Sequence, residues 1–386
     1  MYLKNKIEKF NSIETPFYYY DMELLRSTLE IVKKESEKHD FDVHYAIKAC
    51  NDDKVLKTIA SYGFGADCVS GGEVLKAIEC GFKAGEIAFA GVGKSDREIN
   101  IAIDAEIFSF NCESLEELEV INSLAAAKGK VARVALRLNP EVDPKTHAYI
   151  TTGKAENKFG ISFGEIDKFL EMLPNLQNLH ICGLHFHIGS QILDLSVFKN
   201  LCDRVAVFVD WFESKDIKIE SLNMGGGLGI NYQDPDGDPI SKFGEYFQIF
   251  ADNTPYRHGR SIHFELGRAV VGQCGTLVTR ALFNKTAGSG KKFVLVDGSM
   301  TELLRPALYG AYHQIENISS TSTQIEEYSV AGGVCESSDV FSKSVELPTT
   351  KRGDFIILRS AGAYGSAMSS TYNLRPLPAS VYSDEI

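Results

Sequence analysis

Short apolar, β-prone runs alternating with helix-like segments constrain this chain more than any other feature. Eight such runs follow one another, at residues 44–48, 65–69, 87–91, 107–111, 132–139, 183–188, 221–224 and 261–265. Between them, stretches such as 71–80 and 113–128 space their apolar residues by three and four, as one face of a helix requires. In the second stretch, Ser114 and Glu117 form a capping-box pattern ahead of Leu118 and Val120. Alternation of this kind builds a parallel sheet, either closed as a barrel or open and doubly wound. Eight units rather than five or six favour an α/β fold of the (β/α)8, TIM-like barrel type.

The unusual residues gather at the ends of these runs: Lys48, Asp67, Asn111, Arg137, His187, Gly225 and Glu265. Barrels carry their active sites at the carboxyl ends of their strands, so this distribution predicts where chemistry occurs. After Arg268 the pattern changes. Residues 270–280, 292–297, 325–331 and 355–358 read as strands with little helix between them, and Lys351-Arg352-Gly353-Asp354 is a turn signal. The expected division is therefore a barrel over residues 21–262 and a mainly β domain, sandwich- or barrel-like, formed by 1–20 and 263–386. The run at 16–20 is expected to join the sheet of that second domain.

A formal net charge of −12 with no basic stripe argues against a nucleic-acid partner. No apolar run approaches the roughly 18 residues a membrane span needs. The first 16 residues are polar and mixed in charge, unlike a signal peptide, which leads to the expectation of a cytoplasmic protein. The eight cysteines are scattered without CxxC pairs, so neither a metal site nor a disulfide framework is expected. Cys335 stands apart from them because of its surroundings.

Several residues bear chemistry. Lys48, in Tyr45-Ala46-Ile47-Lys48-Ala49, is an amine among apolar neighbours, where lost solvation favours the nucleophilic form; a lysine snorkelling from a strand end is the plainer alternative. His185 and His187 fall on one strand face, but no nearby acid supplies a third metal ligand, so no metal is expected. An imidazole stacking on a flat ring suits His187 better, with Ser190 placed to bind phosphate, while His185 reads as a core residue. Gly225-Gly226-Gly227 and the Gly267 turn offer bare backbone that an anion can approach. Glu265, two residues before that turn, could keep a pyridine nitrogen protonated. Cys335-Glu336 pairs a thiol with a carboxylate in a glycine-led loop, and Tyr364 offers a phenol in another.

In this order the motifs resemble the fold-type III PLP-dependent decarboxylases, most closely those acting on meso-diaminopimelate. The residues carrying the resemblance are Tyr45-Ala46-Ile47-Lys48-Ala49, His185-Phe186-His187-Ile188-Gly189-Ser190-Gln191, Gly225-Gly226-Gly227-Leu228-Gly229 and Glu265-Leu266-Gly267-Arg268. Arg305-Pro306-Ala307-Leu308-Tyr309, Cys335-Glu336-Ser337-Ser338-Asp339 and Gly362-Ala363-Tyr364-Gly365 complete the set. One departure is Cys50, which precedes Asn51 where such enzymes often have asparagine directly after the lysine motif. The resemblance implies pyridoxal phosphate as cofactor and a homodimer with shared active sites. It makes Lys48 the Schiff-base lysine, with Asp67 near it, His187 stacked on the ring and Glu265 at the pyridine nitrogen. Ser190, Gly227, Gly267, Arg268 and Tyr364 are implied to hold the phosphate and cofactor. It assigns Arg268, Arg305 and Tyr309 to the substrate's distal carboxylate, and Cys335 and Glu336 to a site shared with the partner subunit. Arginine binds a carboxylate through two parallel bonds, so Arg268 and Arg305 speak against ornithine, which has no distal carboxylate. Related decarboxylases of carboxynorspermidine, arginine or ornithine are the alternative, and a PLP-carrying homeostasis protein is the non-enzymatic one.

Overall fold

A computed structural model describes residues 3–142 and 158–386. The chain divides into two compact units: Thr28–Gly229 with Ser241–Arg268, and Met1–Ser27 with Ile230–Ile240 and Ala269–Ile386. Sequence placed the edges at residues 20 and 262 and gave no sign that the segment Ile230–Ile240 groups with the second unit.

The first strand, β1 (Phe17–Tyr20), belongs to the second unit. The next eight build the first: β2 (Phe41–Ala46), β3 (Gly65–Cys68), β4 (Ile87–Phe89), β5 (Ser109–Cys112), β6 (Ala132–Arg137), β7 (Leu179–His185), β8 (Ser221–Asn223) and β9 (Ser261–Leu266). They form a closed barrel in chain order, all pairs parallel, and β2 pairs back onto β9. That closure selects the (β/α)8 barrel over the doubly wound sheet. Every residue of β3, β5 and β8 is buried, because successive side chains point alternately into the barrel and out under the helices.

Four successive strand-to-helix loops end in a capping side chain, Asp52, Ser70, Ser95 and Ser114. Each accepts from N–H groups that the first helical turn leaves without partners, worth about 1 kcal/mol apiece. At Ser95 the reciprocal box with Glu98 is complete. At Ser114 only half of the expected box forms: Ser114 Oγ accepts Glu117 N–H at 3.2 Å, but Glu117 Oε2 takes Glu113 N–H at 2.7 Å. Glu117 is drawn away by Lys94, whose Nζ donates to Oε1 at 2.6 Å.

The second unit continues with β10 (Gly275–Thr286), β11 (Lys292–Val296), β12 (Ile315–Asn317), β13 (Ile325–Ala331), β14 (Val340–Pro348), β15 (Phe355–Leu358) and β16 (Ala379–Tyr382). The sheet order is β12-β15-β10-β11-β13-β14, with β1 pairing β10 and β16. Phe10, Phe17, Tyr19, Val278, Phe355 and Ile357 pack together as its core. The strand expected over 270–280 begins only at Gly275, since Arg268–Val271 is a helical turn. β14 went unread because it is an edge strand whose middle, Ser342 to Glu346, is mostly outside the core, where charge and polarity discourage further pairing.

Candidate active site

Strand register assembles the barrel's site. β2 lies between β3 and β9, with Ala46 opposite Asp67 and His44 opposite Glu265. The chain leaves β2 at Ala46 into the turn Ile47–Ala49, so Lys48 sits just past the strand rather than on it. Its Nζ donates to Asp67 Oδ2 at 2.9 Å. Asp67 is fully buried, and its Oδ1 has no hydrogen-bond partner among the described residues.

Glu265, on β9, is tethered from three strands. Oε1 accepts from Asn111 Nδ2 at 2.9 Å and Asn223 Nδ2 at 2.8 Å, and Oε2 lies 3.0 Å from His185 Nε2. Burial would raise its pKa, but the charge and hydrogen bond of His185, followed by Lys48, overcome that and hold it well below the usual carboxylate range. At Asp67 burial comes first and the charge of Glu265 second, and together they push its carboxyl up against the pull of Lys48. Two buried carboxyls thus have their proton affinities driven apart, an arrangement typical of sites that divide acid and base work.

His187 follows β7. Gly226 N–H donates to its Nδ1 at 3.4 Å, which leaves the ring proton on Nε2. The protein around it, then Arg137 and Lys48, lower its pKa far below that of a free imidazole, so the ring is neutral. Arg137 is itself held by Glu113, NH1 to Oε1 at 2.6 Å, and Glu113 also accepts from Gly91 N and Gly160 N.

The glycine triplet is dictated by crowding. A Cβ on Gly226 would collide with the Glu265 carbonyl oxygen, and one on Gly227, where φ is +106°, would lie 2.7 Å from Gly189 O. Beside this loop Arg268 Nε and NH2 donate to Ser190 Oγ at 3.3 and 3.1 Å. Gly267 packs against Ala46 and Ala49, where a Cβ would come within 3.1 and 3.0 Å of their methyls.

These residues fit pyridoxal phosphate. The set offers an amine on an acid, a buried carboxylate for a pyridine nitrogen, a flat neutral imidazole, and a cation, a hydroxyl and bare backbone for a phosphate. Two buried polar atoms, Asp67 Oδ1 and His185 Nδ1, have no hydrogen-bond partner among the described residues. Among the described residues no grouping of three or more His, Cys, Asp or Glu is placed to hold a metal ion.

Lys48, Asp67, His187, Ser190, Gly227, Glu265, Gly267 and Arg268 therefore all lie in the barrel unit. The other expected residues lie in the second unit. Arg305 and Tyr309 begin and end a short helix, with Arg305 NH1 2.8 Å from His313 Nε2. Cys335 and Glu336 are exposed on a loop pinned by Asp339, which accepts from Val334 N at 2.9 Å and Met300 N at 2.7 Å. The other seven cysteines are buried. Tyr364 has a left-handed backbone, φ +56°, in the 360–366 loop.

Sequence reasoning missed His185, read as a core residue, and Asn223, which drew no notice. Both orient Glu265. The signal was available for His185, since strand alternation puts it on the same face as His187. Asn111 and Arg137 were noted only as strand-end residues.

Residues 23–272 match the sequence profile described as pyridoxal-dependent decarboxylase, pyridoxal binding domain. The chain is 52% identical over 381 residues to the diaminopimelate decarboxylase of Bacteroides thetaiotaomicron, covering 98% of each. It is 39% identical over 368 residues to that of Aquifex aeolicus, covering 95% of this chain and 86% of the relative. Its fold superposes with a TM-score of 0.92 on the crystal structure of diaminopimelate decarboxylase from Helicobacter pylori complexed with L-lysine, at 36% identity, covering 99% of this chain and 95% of that one. With its barrel, its lysine-bearing site and these relatives in agreement, the chain belongs to the pyridoxal-dependent decarboxylase family.

Proposed function

We propose that this protein converts meso-2,6-diaminopimelate to L-lysine and carbon dioxide, as a homodimer in the cytoplasm. The observation that carries the reading is the Lys48–Asp67 pair set in the same barrel site as a buried Glu265 tethered by three side chains. The choice of substrate is supported by near-full-length identity to proteins named diaminopimelate decarboxylase. Free, mostly buried cysteines suit a reducing compartment.

When bound, pyridoxal phosphate supplies an aldehyde for the substrate amine and a ring that accepts the electron pair left as carbon dioxide departs. Lys48 Nζ would be the amine that holds the aldehyde, with Asp67 keeping it oriented. Glu265, anionic because of its donors, holds a proton at the ring nitrogen. His187 would lie against the ring and, being neutral, would add no competing positive charge. Ser190, Gly227, Gly267, Arg268 and Tyr364 hold the phosphate and cofactor. Arg268, Arg305 and Tyr309 bind the distal carboxylate, with Tyr364 beside the substrate, and Glu336 takes the distal ammonium. Cys335 Sγ would supply the proton that takes the place of the departing carboxylate at the α-carbon. Cys335 and Glu336 do this in the partner subunit's site, a role suited to side chains exposed on their own chain.

The test is purification with pyridoxal phosphate and product analysis after incubation with meso-diaminopimelate, ornithine, arginine or carboxynorspermidine. Lysine release from meso-diaminopimelate, with little turnover of the others, is the expected result. Faster consumption of ornithine overturns the reading.

A further inference from the structure

His313 belongs to no motif recognised in the sequence, yet it is 3% exposed and both its ring nitrogens have partners within the second unit. Nδ1 lies 2.8 Å from the Arg359 carbonyl oxygen and Nε2 lies 2.8 Å from Arg305 NH1. A carbonyl oxygen only accepts and a guanidinium only donates. The tautomer is thereby set: Nδ1 carries the proton and Nε2 turns its lone pair to Arg305. The ring is neutral in this arrangement.

The surroundings hold both partners in place. Tyr232 meets the His313 ring edge-on, centroids 5.4 Å apart, and its own ring lies 4.9 Å from the Arg305 guanidinium carbon. Arg359 is buried and fastened by Glu316 at 2.9 Å and Asp236 at 2.7 Å. Among the contacts of this cluster the charged groups are Arg305 from the helix Arg305–Tyr309, which faces His313 directly, and Arg359 just after β15, whose guanidinium is paired with Glu316 on β12 and Asp236 from the segment Ile230–Ile240.

We propose that His313 is a positioning residue that latches Arg305 in the orientation that binds the substrate's distal carboxylate, and releases it on taking up a proton. The inference rests on the role given to Arg305 under the proposed function. Protonation would turn Nε2 from acceptor to donor and set one cation against another, so a protonated His313 and a latched Arg305 exclude each other. Recognition of a substrate with a distal carboxylate then weakens on the acid side.

The experiment compares the wild-type holoenzyme with His313→Gln and His313→Leu. Glutamine can accept from Arg305 and donate to the Arg359 carbonyl without titrating; leucine can do neither. KM and kcat for meso-diaminopimelate are measured from about pH 9 to about pH 5, across the range where imidazoles change charge. Calorimetry follows binding of L-lysine, which keeps a carboxylate, and of 1,5-diaminopentane, which lacks one. The wild type should show KM rising as pH falls, with kcat moving less. His313→Gln should remove that rise, and His313→Leu should raise KM about tenfold or more throughout, because the hydrogen bond that orients Arg305 is lost. Affinity for 1,5-diaminopentane should stay unchanged in both variants. A glutamine variant that keeps the wild-type pH dependence of KM, or a folded leucine variant with wild-type KM, overturns the latch. If the leucine variant does not fold, the glutamine variant decides by itself. A wild type that releases no lysine from meso-diaminopimelate at any pH fails the functional reading instead, and the latch falls with it.

Discussion

Lys94→Met should destabilise the barrel unit by about 3–5 kcal/mol, the range for removing one partner of a buried ion pair. The Lys94 side chain is 1% exposed, and its ammonium has three acceptors: Gly91 O at 2.9 Å, Asn111 O at 2.9 Å and Glu117 Oε1 at 2.6 Å. Methionine fills the space of the stem but donates nothing. Two carbonyls then lose a donor, and the Glu117 carboxylate, 13% exposed, faces a thioether. Glu117→Gln in the same background removes that stranded charge and keeps an acceptor for Glu113 N–H. The double variant should therefore recover about 2 kcal/mol relative to the sum of the two single changes. Urea unfolding followed by Trp211 fluorescence measures this, because the chain's one tryptophan sits on the helix Ser196–Glu213 of the barrel unit. A cost below about 1 kcal/mol, the range of exposed pairs, refutes the reasoning, and so does strict additivity in the double variant.

Lys48→Ala should abolish the visible absorbance of bound pyridoxal phosphate in the purified protein; a variant that keeps it removes Lys48 from its role. His263 is pushed down to about 3 by burial and by His44, whereas an unfolded histidine titrates near about 6.5. Between those values the unfolded chain binds a proton that the folded chain does not, so this group makes stability fall as pH drops through that window. His263→Gln should flatten that acid limb in a plot of unfolding midpoint against pH, and an unchanged limb counts against the assignment. Gly226→Ala forces a methyl onto the Glu265 carbonyl, and parting the ends of β8 and β9 should weaken cofactor affinity by roughly tenfold or more. Spectrophotometric titration with pyridoxal phosphate checks it, and wild-type affinity would show that the loop yields.

Much of the site was readable because its residues are local signals at strand ends. Lys48, Asp67, Glu265 and the glycine triplet each interrupt an apolar run with a residue that a strand has no structural need for. What escaped were side chains whose meaning depends on a distant partner. His185 looks like core material until the folded barrel sets β7 one strand away from β9 and brings Glu265 to 3.0 Å. Asn223 looks like any polar residue before a glycine turn until Glu265 accepts from it at 2.8 Å. His313 carries no local sign at all; its interest comes from Arg305, eight positions back, and Arg359, forty-six positions on. The capping box at Ser114 failed for the same reason, since Lys94 competed for Glu117 from 23 positions away.

From its sequence alone the chain determined where strands and helices alternate, which residues could carry chemistry, and that the alternation runs to eight units. Periodicity and propensity are written in neighbouring residues, so these needed no coordinates. Closure decided the rest. Only in the closed barrel does Glu265 lie near enough to push the Asp67 carboxyl up while His185 and Lys48 hold its own down, and it is the β2–β3 register that brings Lys48 within 2.9 Å of that buried acid. Burial and charge act through space, and a chain sets those distances by folding.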